Sequence, residues 1–276
     1  MALDAGAARA APLPEGVALP YLEIDGTTPS RLASARGGFP QMLPGDYSVV
    51  ATPLVLQIPV GVSKPISDWL VQGSVRSLAS IQRLAVVRVN ASGVVDRLVL
   101  ASPQVREVEI QGFGSDPAPI ELRVELVSNP IEVRVEGASP MATPTSPRQA
   151  IGQLSFGGLQ VQPITVDGVG TRFGTDGFGK WTPVCSPFAI TSPHADAAGL
   201  YEWYAASVLK GSSRGTPTPR TAELSLVDAD GKVAPLASVA GVIITSFETY
   251  SEPDGIMRVK ASFACTGFTL AKDAFR

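Results

Sequence analysis

Two stretches of this chain read as variants of one unit, and that repetition constrains the fold more than any other feature of the sequence. In the first, Asp68-Trp69 on a helical segment leads to RLAVVRVNASGVVDRLVL over 83–100, then VREVEIQGF over 105–113 and ELRVEL over 121–126. In the second, Glu202-Trp203 leads to RTAELSLVDADGKVAPL over 220–236, then VIITSFETY over 242–250 and IMRVKASF over 256–263. The order of elements matches, and the separation from hairpin glycine to final strand is nearly unchanged between Gly93 and Gly231. Tandem duplication is the simplest account. The spacing is far longer than the period of a solenoid or propeller, so two domains are expected rather than a repeat array.

Local patterns fill in each unit. A short strand is expected at Tyr21 to Asp25, and Leu54, Leu56 and Ile58 alternate as a half-buried strand should. Ser63 ahead of Pro65 suggests a helix entry, and the segment from Ile66 to about Leu78 puts Ile66, Trp69 and Leu70 on one side. Leu84, Val86 and Arg88 alternate with Ala85, Val87 and Val89, so both faces are largely apolar, with a turn at Asn90 to Gly93. Val108 and Ile110 alternate with Glu107 and Glu109, which predicts charges facing solvent, and Leu122, Val124 and Leu126 repeat the pattern against Arg123 and Glu125. A strand from Ile131 to Gly137 closes the unit. In the second unit Ser192 is a candidate N-cap with Pro193 at the first helical position. Leu200, Tyr201, Tyr204 and Val208 form an apolar stripe and Gly211 a stop, which makes a helix of about four turns. The expected organisation is a flexible Ala/Pro arm over 1–20, a first domain over 21–138, a Pro-rich linker over 139–150 and a second domain over 151–276. Two Gly/Pro-punctuated stretches, Gly26 to Gly45 and Gly168 to Pro187, read as loops too long to persist idly in a compact domain.

Composition removes several function classes. A chain of 276 residues can bury two cores. With 17% charged residues and a net charge of -3 there is no electrostatic argument for nucleic acid, and a weakly charged surface points to burial in an oligomer. The stretch MALDAGAARAAPLPEGVALP lacks the cationic start and apolar core of a secretory signal, and no apolar run approaches ~18 residues. Synthesis in the cytoplasm without membrane insertion is the expectation. Cys185 and Cys265 are too few for a disulfide framework; buried small side chains are the first reading, with a bridge between them left open.

Apparent chemical motifs fall away on inspection. GTDGFGK over 174–180 has Gly174, Gly179 and Lys180 at phosphate-loop spacing, but Trp181 stands where a magnesium-binding Ser or Thr belongs, and a strand follows instead of a helix. An interface loop fits better. His194, the one histidine, lies near Asp196 but without a nucleophile-elbow sequence, and reads as a helix-start surface residue. Asp228, Asp230 and Gly231 resemble the start of a calcium loop that ends at once in Lys232-Val233, so a hairpin turn is expected. Trp69 and Trp203 recur at equivalent places, as helix-to-sheet anchors or, less simply, a ligand-stacking platform. No catalytic, cofactor-binding or metal-binding residue is expected.

The order of strand, long loop, strand, helix with an acidic-aromatic pair, Asp/Asn-x-x-Gly hairpin and paired alternating strands resembles the tail-tube proteins of contractile bacteriophages and related contractile injection systems. The match is closest at EWYAASVLKG over 202–211, RTAELSLVDADGK over 220–232 and the final strands to Leu270; the first unit departs from it with NASG in its hairpin turn and a shorter gap after Trp69. The resemblance implies a mainly β chain with two tandem antiparallel β-barrel or sandwich domains, each flanked by one α-helix. It implies a structural subunit of a tube in a virion tail or phage-tail-like particle, built by self-association into rings. Typical members carry one unit, so two units suggest three chains in a pseudo-six-fold ring, in the tube or at its baseplate or terminal end, with neighbouring tube, sheath or baseplate proteins as partners. The competing expectation is a tandem β-sandwich binding module for carbohydrate or another surface ligand, which calls for exposed clustered aromatics; aromatics make up 7% of the chain and fall mostly at core-like positions.

Overall fold

The computed structural model describes residues 19–26, 29–38, 40–42, 49–62, 64–75, 83–90, 93–115, 119–128, 131–134, 150–175, 180–209, 218–228, 230–253 and 255–272. The expected amino-terminal arm up to Ala18, the linker over 139–149 and the Ser63 helix entry lie outside these residues. The chain opens with β1 (Leu19–Ile24), β2 (Ser30–Arg31), β3 (Ser34–Gly37), β4 (Pro40–Met42), β5 (Val49–Ala51) and β6 (Leu54–Pro59). Helix α1 (Lys64–Val75) precedes β7 (Arg83–Asn90), β8 (Gly93–Ala101), β9 (Gln104–Gln111), β10 (Glu121–Val127) and β11 (Ile131–Arg134). There follow β12 (Ile151–Phe156), β13 (Leu159–Val161), β14 (Thr165–Asp167), β15 (Gly170–Thr175), β16 (Trp181–Ser186) and β17 (Phe188–Pro193). Helix α2 (Ala198–Tyr204) leads to β18 (Arg220–Val227), β19 (Val233–Ser251), β20 (Met257–Ala264) and β21 (Gly267–Leu270). The molecule is mainly β, and every pairing among the described residues is antiparallel.

The connectivity of the first half recurs in the second. β1 pairs with β2 and β7, β8 with β7 and β11, β6 with β3 and β10, β10 with β9, and β4 with β5. Correspondingly, β12 pairs with β13 and β18, the first part of β19 with β18 and β21, β17 with β14 and β20, β20 with the second part of β19, and β15 with β16. The long strand β19 thus stands for β8 and β9 run together. In the first half Pro103 interrupts the strand, with Ser102 at φ 47°, whereas Gly241 at φ 61° holds the corresponding place and bends the strand without ending it. Beside each, a hydroxyl donates to the preceding carbonyl: Ser128 Oγ to Ala101 O at 2.8 Å, and Thr266 Oγ1 to Ala240 O at 3.2 Å. The register slips also coincide, between Glu125 and Leu126 against β9 and between Ile244 and Ser246 against β20.

Alternation builds the interior. Leu122, Val124 and Leu126 of β10 and Val259, Ala261 and Phe263 of β20 are buried and belong, except Val259, to one apolar core continuous through both halves. Both faces of β7 are covered: Leu84 and Val86 enter that core, while Ala85 and Val87 join Tyr21 and Val99 in a smaller cluster. Pro65 lies in the first turn of α1, whose Ile66, Trp69 and Leu70 face the core as the spacing predicts.

Three expectations need correction. Ser192 does not cap a helix: it is the inward residue of β17, fully buried and paired with Val259, because FAITSP alternates Phe188, Ile190 and Ser192 toward the core. The helix starts later, after a single tight turn at His194–Asp196, and α2 continues as one wider turn over Ala205–Leu209. The described residues of the two Gly/Pro stretches are not continuous loops; they hold β2 to β4 and the β15–β16 hairpin. Cys185 and Cys265 are joined in a disulfide that ties β16 to the residue after β20.

Candidate assembly interface

The two halves meet along a strand pair. β15 lies against β9, with Gly170 opposite Glu109, Thr171 opposite Val108 and Arg172 opposite Glu107, so six strands in the order β16-β15-β9-β10-β6-β3 make one sheet. Ile110 N–H donates to Val169 O at 2.9 Å, extending the ladder. The turn after β9 inserts beside it: Val166 N–H donates to Phe113 O, Ser115 N–H to Pro163 O and Gly152 N–H to Gly114 O, at 2.9, 2.8 and 2.8 Å. Helix α1 lies over β21, where Leu270 N–H donates to the buried Ser74 Oγ at 3.4 Å.

Small residues let the backbones come this close. A Cβ at Gly170 would sit 2.1 Å from Val108 O, one at Gly114 2.0 Å from Ile164 O, and one at Gly152 2.7 Å from the Phe113 ring. Glycine at these positions is a packing requirement of the joint.

The sheet face turned away from the core carries a polar ladder. Arg123 Nη1 donates to Glu107 at 2.6 Å and Nη2 to Glu125 at 3.1 Å, and Arg172 from the second half also pairs with Glu107. Gln57 Nε2 donates to Gln111 Oε1 at 3.3 Å. Burial alone would raise the Glu107 pKa, but hydrogen bonds and charge from Arg172 and Arg123 outweigh it and hold the carboxyl below its ordinary value. Glu109 goes the other way, pushed up by burial and by the neighbouring Glu107 charge. Burial likewise raises Glu121. Glu107 and Glu109 therefore do not face open solvent as the alternation predicts; Glu107 is 13% exposed because Arg172 and Arg123 close over it.

Beyond the joint, an edge is left open. From Ile243 to Ser251, β19 pairs with β20 on one side and, among the described residues, with no strand on the other. The β4–β5 hairpin pairs only within itself among these residues. Between α2 and the open edge of β19 runs a groove of about 620 Å³ lined by Tyr201, Tyr204, Phe247 and Thr249. The Tyr201 and Tyr204 rings lie 5.6 and 5.8 Å from Phe247, and Tyr201 is 51% exposed.

Of the motif residues, His194 lines this groove and the others fall elsewhere. Trp69 and Trp203 are 2% and 4% exposed, so they anchor helices and offer no stacking surface. Trp203 packs against Phe156 and Phe263, with the Arg220 guanidinium 4.6 Å above its ring. Gly174 belongs to β15 and Lys180 precedes β16, on a hairpin whose tip over 176–179 lies outside the described residues. His194 and Asp196 share the tight turn before α2. Asp228 Oδ1 accepts from Asp230 N–H and Lys232 N–H, and Gly231 has φ 76°, the hairpin turn the sequence predicts. Among the described residues, no three His, Cys, Asp or Glu side chains are placed to hold a metal, and no helix is long and apolar enough to cross a membrane. The Arg172–Glu107 pair and the three joint glycines carry no local signal, since their partners are remote in sequence.

No protein-family model and no curated protein matches the sequence. Among solved structures the chain is similar to Hcp1 from Flavobacterium johnsoniae, at 10% identity and a TM-score of 0.33, over 44% of this chain and 94% of Hcp1. It is similar to the tube terminating cap of the anti-feeding prophage at 16% identity and a TM-score of 0.36, over 48% of this chain and 95% of the cap. It is also similar to a sheath/tube terminator structure of the extracellular contractile injection system PVC, at 15% identity and a TM-score of 0.32, over 49% of this chain and 99% of the other.

Proposed function

We propose that this chain is a structural subunit of a phage-tail-like or contractile injection tube, and that three copies form a pseudo-six-fold ring in the tube or at its baseplate or terminal end. The observation that carries the reading is the repeated strand connectivity joined head to tail through β9 and β15. A head-to-tail contact, unlike a two-fold one, generates a ring when its rotation closes. The tube itself comes from the residue patterns over 202–211 and 220–232 that resemble tail-tube proteins. In this reading the chain is a tandem duplication with units over 21–138 and 151–276, an arm before them and a linker between. Its partners are sister copies and adjoining tube, sheath or baseplate proteins. It is made in the cytoplasm, assembled into a particle, and performs no catalysis.

Mass photometry with negative-stain imaging of the purified chain tests this. Six-lobed rings of three-chain mass, or stacks of them, are expected. Monodisperse monomers at micromolar concentration would overturn the ring and favour the binding-module reading, which the aromatic groove beside Phe247 supports; glycan-array binding would then decide.

A further inference from the structure

The joint inside the chain has an acceptor edge and a donor hairpin, and the chain carries one more of each, unpaired among the described residues. We infer that a second copy of this chain occupies the open edge, its β4 adding to β19 between Ile243 and Ser251. This rests on the ring reading above and names the surfaces and register that make the ring.

The pairings themselves establish which residues correspond. Matching the register slips of β9–β10 and β19–β20 equates Glu107 with Ser246, Val108 with Phe247 and Glu109 with Glu248. On the donor side, Gly37 ends one preceding strand pair and Gly168 follows the other, at φ 81° and 83°. The hairpin registers then equate Pro40 with Thr171 and Gln41 with Arg172, since Pro40–Ala51 corresponds to Thr171–Cys185. The in-chain pairs Thr171–Val108 and Arg172–Glu107 therefore become Pro40–Phe247 and Gln41–Ser246 between chains.

Exposure gives an independent argument. Ile110 is fully buried while its counterpart Thr249 is exposed, and Ile120 is 2% exposed while its counterpart Met257 is 45% exposed. The surface that the second half covers on the first is bare on the second. The groove between α2 and β19 lies where α1 and β9, in the first half, hold β21 and β15. The corresponding elements of a second copy are β11 and β4, which commits the groove to that occupant.

The two kinds of joint are not equal. Ile110 N–H points at the second half, so by alternation Val108 N–H does too, and Phe247 and Thr249 N–H point out of the open edge. Pro40 can accept from Phe247 but has no N–H to return. Gln41 and Ser246 also replace the ion pair of Arg172 and Glu107. The joint between chains is one hydrogen bond and one charge pair lighter than the joint within, and with Phe39 at the counterpart of Gly170 it does not repeat the close backbone approach of the inner joint.

The test uses the full chain with Gln41→Cys and Ser246→Cys, a non-hydrogen-bonded pair whose Cα atoms would lie about 4.5 Å apart, within disulfide reach. After mild oxidation, peptide mass spectrometry is expected to find 41 linked to 246 of another copy, in species ending at three chains. Three-chain rings without this link, or with equal linking of Gln41→Cys to Tyr250→Cys, overturn the joint while leaving the ring intact. Monomers overturn both. A second variant, Thr249→Pro, removes the outward N–H that corresponds to the Ile110 N–H of the inner joint, a second loss in a ladder already without an N–H at Pro40. It is expected to lower ring formation at least tenfold with the monomer's unfolding midpoint unchanged; undiminished rings would overturn the proposal.

Discussion

Glu107 and Glu109 sit two residues apart on one strand, yet their surroundings push their acidities in opposite directions. With a folded pKa below the ordinary 4.5, the Glu107 carboxylate contributes stability that is fully present above about pH 4.5 and is lost as pH falls through the folded value. Glu109 has a raised folded pKa, so its charged form costs stability, and the cost grows as pH rises from 4.5 through that value. Glu107→Gln is expected to lower stability at pH 7 by about 1–2 kcal/mol, with the difference from wild type shrinking once pH is below 4.5. Glu109→Gln is expected to raise the midpoint at pH 7 and to change little at pH 3.5; urea unfolding at the two pH values checks both signs. Gly170→Ala belongs at this scale too. Its Cβ would collide with a backbone carbonyl that cannot rotate away, so a loss of about 1–3 kcal/mol in thermal unfolding is expected, with faster amide exchange at Val108 and Ile110.

At the level of elements, the β15–β16 hairpin is held by its pairing with β9 and by the Cys185–Cys265 disulfide, which closes 80 residues of chain. Reduction is expected to lower stability by about 2–5 kcal/mol, read from urea midpoints with and without reductant, with the earliest loss of exchange protection in β15 and β16. Trp203→Ala should cost about 3–5 kcal/mol, because the ring fills the space between α2, Phe156 and Phe263; the same denaturation series measures it. These elements also show why some of the fold is legible in sequence and some is not. Leu122, Val124 and Leu126 announce β10, and Pro65, Trp69 and Leu70 announce α1, because their signals lie within one or two turns of the chain. Ser192-Pro193 carries a helix-start signature equal to any, yet pairing with Val259 and Arg258 claims both residues for β17. The run from Gly170 to Thr175 pairs with β16 along its whole length and with β9 at Gly170 to Arg172; β9 is remote in sequence, so no local pattern can show that second partner. The open edge of β19 is equally hidden, since nothing in VIITSFETY says which side of the strand lacks a neighbour among the described residues.

For the molecule as a whole, the core that runs through both halves makes them one stable body, while the joint proposed between copies stands outside it. Dilution is therefore expected to release folded monomers in which β15 still covers β9: analytical ultracentrifugation should show three-chain species giving way to one, with amide protection at Ile110 unchanged. A chain that lost that protection on dilution would show that the halves themselves come apart. Pro40, with no N–H to give, adds a mechanical consequence. If rings stack in register, the lighter joints align into three longitudinal fault lines, and a tube of this protein pulled or bent to failure splits into three staves instead of six.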